Sequence, residues 1–260
     1  MALAEMFEDA KRRVQATPGD VQARSALWQI FAARGEFERA RTQLDAILSI
    51  DSSWVAEVQS CRGLLAAEEL RLQVFAGIKP PTCLGEPPGW FALQVQALPM
   101  SAAGDPAVVA AAASLLLQAQ QASQVACGVV NDQAFAWLCD GDARLGPCLE
   151  LVARGQYLWL PWSRVRGITT RAPSEIRDRL WLHALIEFDD EALIEAFLPA
   201  RYPAPVGDAQ HLGQVTEWQP LSDQAYRGLG QKTLMTDRAE FGLLDVRRLR
   251  IESTSLGVNT

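Results

Sequence analysis

The sequence predicts an α+β fold in which a tetratricopeptide-like helical domain precedes a β-rich domain. Apolar residues recur at helical spacing through residues 1–80, whereas short apolar runs separated by Gly, Pro and Asp dominate from about Cys127 onward. The predicted domains are 1–80 (tetratricopeptide-like helices), 81–126 (a helical linker segment packing on the C-terminal domain) and 127–260 (a small, barrel-like β-rich domain). A chain of 260 residues is long enough to bury a sizeable core.

The helical domain is predicted from residues 21–54, whose register matches the period of about 34 residues of a tetratricopeptide repeat. Gly35 falls at the turn between its two helices. Asp20 is placed to cap the first helix, because its carboxylate can accept hydrogen bonds from the unpaired first-turn N–H groups. A helical half-unit precedes this repeat, and a further helix is expected to begin near Trp54.

The second helical segment follows two proline clusters, Lys79–Pro81 and Glu86–Gly89. Helical spacing predicts helices at Trp90–Leu98 and Asp105–Ser123, the second with Asp105 as N-cap and Pro106 in its first turn. Glutamines interrupt the uncharged part of this helix, so its apolar stretch is only about a dozen residues, whereas a membrane span needs about 20. We therefore predict a buried helix and no membrane partner.

The β-rich domain is predicted from short apolar runs between turn residues. Ala134–Leu138, Cys148–Val152 and Tyr157–Leu160 are expected to form successive antiparallel strands, because Asp, Gly and Pro separate them. Lys232–Thr236 and Phe241–Ile251 are expected to form a terminal pair. A compact domain of this kind is typical of a small barrel.

Charge and cysteine content exclude several classes of function. The net charge is −7, and residues 81–150 contain a single basic residue, Arg144, against six acidic ones. Nucleic acid is not expected as a partner, since phosphate binding needs a basic stripe. The N-terminus lacks the basic region of a secretory signal, and the five cysteines form no CxxC pair. These features favour a cytoplasmic protein.

No group of residues predicts a catalytic centre, a cofactor or a metal site. His183 and His211 have no neighbour in sequence that would position a general base. No Cys/His cluster has the spacing of zinc ligands. The glycines around Gly228 match neither phosphate-binding pattern, because a glutamine separates Gly230 from Lys232.

Asp140, Asp142 and Arg144 form the most distinctive charged cluster. Turn aspartates beside an arginine can form a charge-assisted network that fixes neighbouring hairpins. We favour this structural role. Contact with a partner and catalysis remain the alternatives for these residues.

The repeat-like helices predict a binding surface, because stacked helix pairs form a concave face that can hold a partner helix. In the predicted register, small and polar side chains line this face. They are Gln22, Ser25, Gln29, Ala32, Gln59 and Gly63.

Several unusual segments follow one another in the second half of the chain: residues 140–162 (DGDARLGPCLELVARGQYLWLPW), 177–181 (RDRLW, an RDxLW motif), 197–203 (FLPARYP), 213–218 (GQVTEW) and 227–231 (RGLGQ). Together, and in the same order from the N-terminal helices to Glu252, they resemble the ImpE/SciE family, also called TagJ. Leu182-His183 departs from that pattern after the RDxLW motif. The matching positions, for which we predict structural roles, are Asp140, Asp142, Arg144, Gly146, Pro147, Trp159, Pro161, Arg177, Asp178, Trp181, Tyr202, Pro203, Gly228 and Gly230.

The resemblance implies a non-enzymatic accessory protein of a bacterial type VI secretion system. It implies binding to the N-terminal helix of the small contractile-sheath subunit and, indirectly, modulation of sheath disassembly by the AAA+ ATPase. Two alternatives stay open. One is a hydrolase or nucleotide-dependent enzyme that uses the Asp/Arg cluster between domains, and the other is a two-domain structural scaffold.

Overall fold

The structure, a computed structural model, describes residues 3–252 and confirms the α+β class. The outer limits predicted for the first and last domains, residues 1 and 260, lie outside this range. Helices come first: α1 (Leu3–Ala16), α2 (Val21–Ala33), α3 (Phe37–Ile50), α4 (Val55–Phe75), α5 (Phe91–Ser101) and α6 (Pro106–Ala122).

Local sequence explains where these helices begin and turn. The Asp20 carboxylate accepts hydrogen bonds from the backbone N–H groups of Gln22 and Ala23 at 2.8 and 3.0 Å, so it caps α2 as predicted. Asp105 caps α6 in the same way, with Pro106 in the first turn. Gly35 has a φ of +75° between α2 and α3, a backbone conformation that glycine adopts without steric cost.

Strands dominate the rest of the chain, with two short helices, α7 (Ile176–Leu180) and α8 (Asp208–His211), between them. The strands are β1 (Gly128–Val130), β2 (Gln133–Phe135), β3 (Leu138–Asp140), β4 (Cys148–Ala153), β5 (Gln156–Pro161), β6 (Val165–Thr170), β7 (Trp181–Phe188), β8 (Leu193–Pro199), β9 (Thr216–Pro220), β10 (Tyr226–Gly230), β11 (Thr233–Thr236), β12 (Glu240–Gly242) and β13 (Arg248–Ile251).

Eight of these strands form one large sheet in the order β2-β1-β13-β6-β7-β8-β4-β5. The others form a three-stranded sheet, β12-β11-β3, and a β9-β10 hairpin. The described strands do not close into a hydrogen-bonded ring, because β2 and β5 stand at opposite ends of the large sheet. The β-rich domain is therefore built on an open sheet and not on a closed barrel.

Two details of the predicted strands differ from the structure. β3 pairs with β11 and not with β4. The predicted strands Ala134–Leu138 and Cys148–Val152 are therefore not neighbours in one antiparallel sheet. The expected strand Phe241–Ile251 is divided into β12 and β13, which belong to different sheets. A helical turn at Leu243–Asp245 separates them, so the chain changes direction there.

The helices and the large sheet share one hydrophobic core. Leu27 of α2 and Leu65 of α4 belong to the same cluster as Trp159 of β5 and Trp181 of β7. Alternate strand residues, such as Leu182, point to the other face of the sheet and build a second core there. The N-terminal helices therefore bury apolar side chains against one face of the large sheet.

Candidate functional site

A concave surface of about 400 Å³, which we call the helical groove, lies between α2, α3, α4 and α7. Buried side chains form its floor, and polar or charged side chains form its rim. The floor includes Trp28, Leu44, Ile47 and Val58, and the rim includes Gln22, Ser25, Glu57, Glu175 and Arg177; the buried Gln29 also lines the groove.

The four predicted binding residues of α2 differ in their exposure and in whether they line the helical groove. Gln22 and Ser25 line the helical groove, and the Gln22 side chain is exposed. Gln29 also lines it but is only 5% exposed. Ala32 is completely buried, so the prediction that it lines a partner-binding surface is wrong. Its carbonyl instead accepts a hydrogen bond from Arg201 at 3.3 Å.

Gln59 and Gly63 line a second concave surface of about 710 Å³, which we call the helix–sheet cleft. It lies on the other side of α4, where the helix meets strands β4, β7 and β8, and it shares no lining residue with the helical groove. A Cβ atom on Gly63 would lie 3.2 Å from Gly155 Cα, so this glycine lets α4 contact the β4–β5 turn. The predicted continuous surface is thus divided in two.

The C-terminal part of the chain completes the helical groove. The Gln29 side-chain nitrogen donates to Glu175 Oε2 at 2.9 Å, and its side-chain oxygen accepts from the backbone N–H of Arg177 at 2.9 Å. Arg177 also forms an ion pair with Glu57 of α4. The Asp178 carboxylate accepts hydrogen bonds from the backbone N–H groups of Ser174 and Glu175, which fixes the conformation of this segment. Sequence reasoning missed this contribution, because Glu175 lies 146 residues from Gln29.

Within residues 3–252, eight buried charged residues form what we call the ionic core. They are four carboxylates and four cations, so the formal charges balance. The residues are Glu68, Arg71, Asp140, Asp142, Arg144, Glu150, Arg201 and Lys232.

Glu150 is the centre of the ionic core. Arg71 Nε donates to Glu150 Oε2 and Arg71 Nη2 to Oε1, both at 2.7 Å, so the pair is bidentate. Lys232 Nζ and the Tyr157 hydroxyl also donate to this carboxylate. Burial by itself would raise the pKa of Glu150, but Arg71 and Lys232 lower it to about 2. Glu150 is therefore held as a carboxylate.

The Asp140–Arg144 turn is fastened by the network that the sequence predicted. Arg144 Nε and Nη2 donate to Asp142 Oδ1 and Oδ2 at 2.9 and 2.6 Å, and the Gly228 N–H donates to Asp142 Oδ2 at 3.0 Å. The Tyr202 hydroxyl donates to Asp140 Oδ1 at 2.8 Å. Burial raises the pKa of Asp140 to about 6, although nearby Lys232 opposes the shift.

Most of the remaining positions that resemble the family motifs surround the same network. Trp181 Nε1 donates to Glu68 Oε2 at 3.1 Å, and Trp159 Nε1 donates to the Tyr157 hydroxyl at 2.6 Å. A Cβ atom on Gly228 would lie 2.1 Å from the Tyr202 ring, so a larger residue does not fit there. Further motif positions serve the turns and strand ends around it: Gly146, Pro147, Pro161, Pro203 and Gly230.

The two aspartates of the Asp140–Arg144 turn are enclosed within the protein. Asp140 and Asp142 are 3% and 0% exposed, and they line neither the helical groove nor the helix–sheet cleft. Within residues 3–252, no group of three or more His, Cys, Asp and Glu side chains is placed to hold a metal ion. Over the same residues, no helix combines the length and apolar character of a membrane span.

Comparison with known proteins identifies the family. A family model described as ImpE protein matches residues 132–250. A protein of Pseudomonas aeruginosa named type VI secretion system accessory component TagJ is 36% identical over 255 residues, which cover 97% of this chain and 88% of that protein. The chain belongs to the ImpE/TagJ family. Its fold also matches the crystal structure of protein VPA1032 from Vibrio parahaemolyticus with a TM-score of 0.87, 25% identity and coverage of 96% and 94% of the two chains.

The ImpE-matched region includes six of the eight residues of the ionic core and the α7 segment at the groove rim. Glu68 and Arg71 of α4, which complete the ionic core, precede that region. The ImpE region and the helical domain are thus joined through buried charges as well as through apolar packing.

Proposed function

We propose that the protein is a non-enzymatic, cytoplasmic adaptor of a bacterial type VI secretion system. In this proposal the helical groove binds the N-terminal helix of the small contractile-sheath subunit. Through that contact the protein modulates disassembly of the sheath by the AAA+ ATPase. The observation that carries the proposal is the helical groove, and the name of the Pseudomonas aeruginosa relative supports the secretion role.

The physical basis is the fit of an amphipathic helix into a helical groove. The half-buried Trp54 side chain at the edge of the groove offers apolar area, while Gln22 and Ser25 offer hydrogen bonds that can fix the register. The Arg177–Glu57 ion pair adds charged groups of both signs at the rim. Side chains of a bound helix can therefore contact both apolar and charged groups.

A matched pair of substitutions tests where the helix binds. Gln22→Arg places a bulky charge in the helical groove, and Gln59→Arg places the same charge in the helix–sheet cleft; both side chains are exposed. Isothermal titration with a peptide of the sheath subunit's N-terminal helix should show one-to-one binding that Gln22→Arg weakens and Gln59→Arg leaves unchanged. No binding to the unmodified protein, or the opposite order of effects, would contradict the proposal.

Gln29 is not suitable for this test. Both ends of its side-chain amide are bonded to the α7 segment, so a charged replacement would disturb the protein itself. Loss of binding in such a variant would not separate a lost contact from a displaced segment.

The enzyme alternative is favoured by one observation, the raised pKa of Asp140. That carboxylate is enclosed and hydrogen-bonded to the Tyr202 hydroxyl and to the backbone N–H of Asp142. A substrate would have to displace these groups to reach it. The same bonds support the role of fastening the turn.

The scaffold alternative requires both parts of the chain for partner binding. Expression of residues 1–80 alone would test it poorly, because that fragment lacks Trp159 and Trp181, which complete the core of its helices. The full-length Gln22→Arg and Gln59→Arg variants distinguish the two ideas better, since a scaffold should be sensitive to both.

A further inference from the structure

Within residues 3–252, four neighbouring strands, β13, β6, β7 and β8, have part of one face of the large sheet uncovered. On this side, α4 packs over Trp159 and Trp181. Further along β7 and β8, Leu185 and Leu193 are 40% and 59% exposed, although both are apolar. We call the uncovered region of these four strands the open face.

Strand register arranges the open face in two rows that cross the four strands. The first row is Arg248, Thr169, Leu185 and Glu195. The second row is Arg250, Gly167, Glu187 and Leu193. Each row therefore begins with an arginine on β13 and carries a glutamate on β7 or β8.

The charges of these rows are not neutralised by other side chains of the described residues. None of Arg248, Arg250, Glu187 and Glu195 forms an ion pair with another residue of the range 3–252. Adjacent strands are about 4.8 Å apart, so the backbones of Arg248 and Glu195 are separated by three spacings, about 14 Å. Positive charge therefore lies at one end of the face and negative charge towards the other.

We propose that the open face binds a second copy of this chain, related by a two-fold axis that runs parallel to the strands. Such an axis reverses the strand order of the facing sheet. Arg248 then lies opposite Glu195 of the second copy, and Leu185 lies opposite Thr169. Arg250 lies one strand spacing from Glu187 of the second copy. The patch is complementary to itself, as an isologous interface requires.

The size of the patch predicts a weak dimer. Two rows across four strands cover an area on the order of 300 Å². A stable interface buries about 800 Å² on each partner. Much of the attraction comes from exposed charges, which salt screens. Self-association should therefore be concentration-dependent and should weaken as ionic strength rises.

Sedimentation velocity over a wide concentration range, at low and high ionic strength, tests the proposal on the full chain. Arg248→Glu and Glu195→Arg each place like charges opposite one another, so each should weaken self-association at least about tenfold. A mixture of the two variants should restore it, because both cross-interface pairs are then of opposite charge. Arg12→Glu, an exposed charge reversal on α1, should leave it unchanged.

Three results would overturn the proposal. The unmodified protein could remain monomeric at every concentration at low ionic strength. Arg248→Glu could associate as strongly as the unmodified chain. The two variants could fail to associate when mixed, although circular dichroism shows both to be folded. The last result would exclude this pairing even if the protein dimerises elsewhere.

A dimer would carry two helical grooves. On a partner with many identical subunits, the second groove would bind as an intramolecular step, which raises the overall affinity. This consequence rests on the proposed function. The sedimentation experiment does not, since it uses the protein alone, so either proposal can fail without the other.

Discussion

Removal of the Arg71 guanidinium should destabilise the protein far more than removal of a similar group at its surface. Arg71 is 1% exposed, and it donates to Glu150, Glu68 and the carbonyl of Arg201. Arg71→Met keeps most of the side-chain volume, so the change tests the charge and its hydrogen bonds rather than a cavity.

The expected loss follows from what the substitution leaves behind. Removing one partner of a buried ion pair costs about 3–5 kcal/mol, because the other charge stays buried without compensation. Glu150 would retain Lys232 and the Tyr157 hydroxyl, so we expect the lower end, about 3 kcal/mol. For a chain of this length that loss corresponds to a fall in Tm of about 6–12 °C.

Urea denaturation of matched variants measures this loss. The control is Arg41→Met, since Arg41 Nη1 and Nη2 also donate to a carboxylate, Glu69, at 2.9 and 2.6 Å. That arginine side chain is 25% exposed, so its loss should cost less than about 1 kcal/mol. The double variant Arg71→Met with Glu150→Gln should lose less than the sum of the single changes. Equal losses for Arg71→Met and Arg41→Met would refute the reasoning.

Two further predictions concern the ionic core. Acidification from pH 7 to about 5 should first stabilise the protein, because the raised pKa of Asp140, about 6, makes the folded state bind a proton before the unfolded state does. Asp140→Asn should abolish that gain in urea denaturation measured as a function of pH. The lowered pKa of Glu150 has the opposite sign, so its stabilising contribution is complete above about pH 4.5 and declines as the pH falls towards 2. Gly228→Ala should lower the free energy of unfolding by about 1–3 kcal/mol, since its Cβ would lie 2.1 Å from the buried Tyr202 ring. Gly89→Ala, with no atom within 4 Å, is the control, and an equal loss in the two variants would contradict the packing argument.

The features that sequence predicted best depend on short-range physics. Asp20 caps α2 through N–H groups two and three residues away, and Gly35 supplies the turn that follows. The Asp142–Arg144 pair is equally local, with its partners two residues apart. Neighbouring residues determine each of these arrangements, so the sequence alone contains the information.

The sequence does not indicate the part of the ionic core around Glu150, because the partners of this carboxylate are distant in sequence. Arg71 and Glu150 are 79 residues apart, and Lys232 and Glu150 are 82 residues apart. One signal was present: Glu68 and Arg71 continue the helical stripe of Leu64 and Leu65 at spacings of three and four residues. Charged residues on a buried stripe indicate buried partners, but only the fold identifies those partners.

The ionic core also has a consequence for the helical groove. Arg201, which follows β8, accepts a hydrogen bond from Arg71 of α4 through its carbonyl at 2.8 Å. Its guanidinium donates to the carbonyls of Ala32 and Ala33 at the C-terminal end of α2, where a cation is favoured by the helix dipole. Both α2 and α4, which line the helical groove, are therefore hydrogen-bonded to Arg201 of the C-terminal domain. The C-terminal domain therefore contributes to the position of both helices. The sequence register of the helices does not include this contribution, and of its six predicted binding residues only Gln22, Ser25 and Gln29 line the groove.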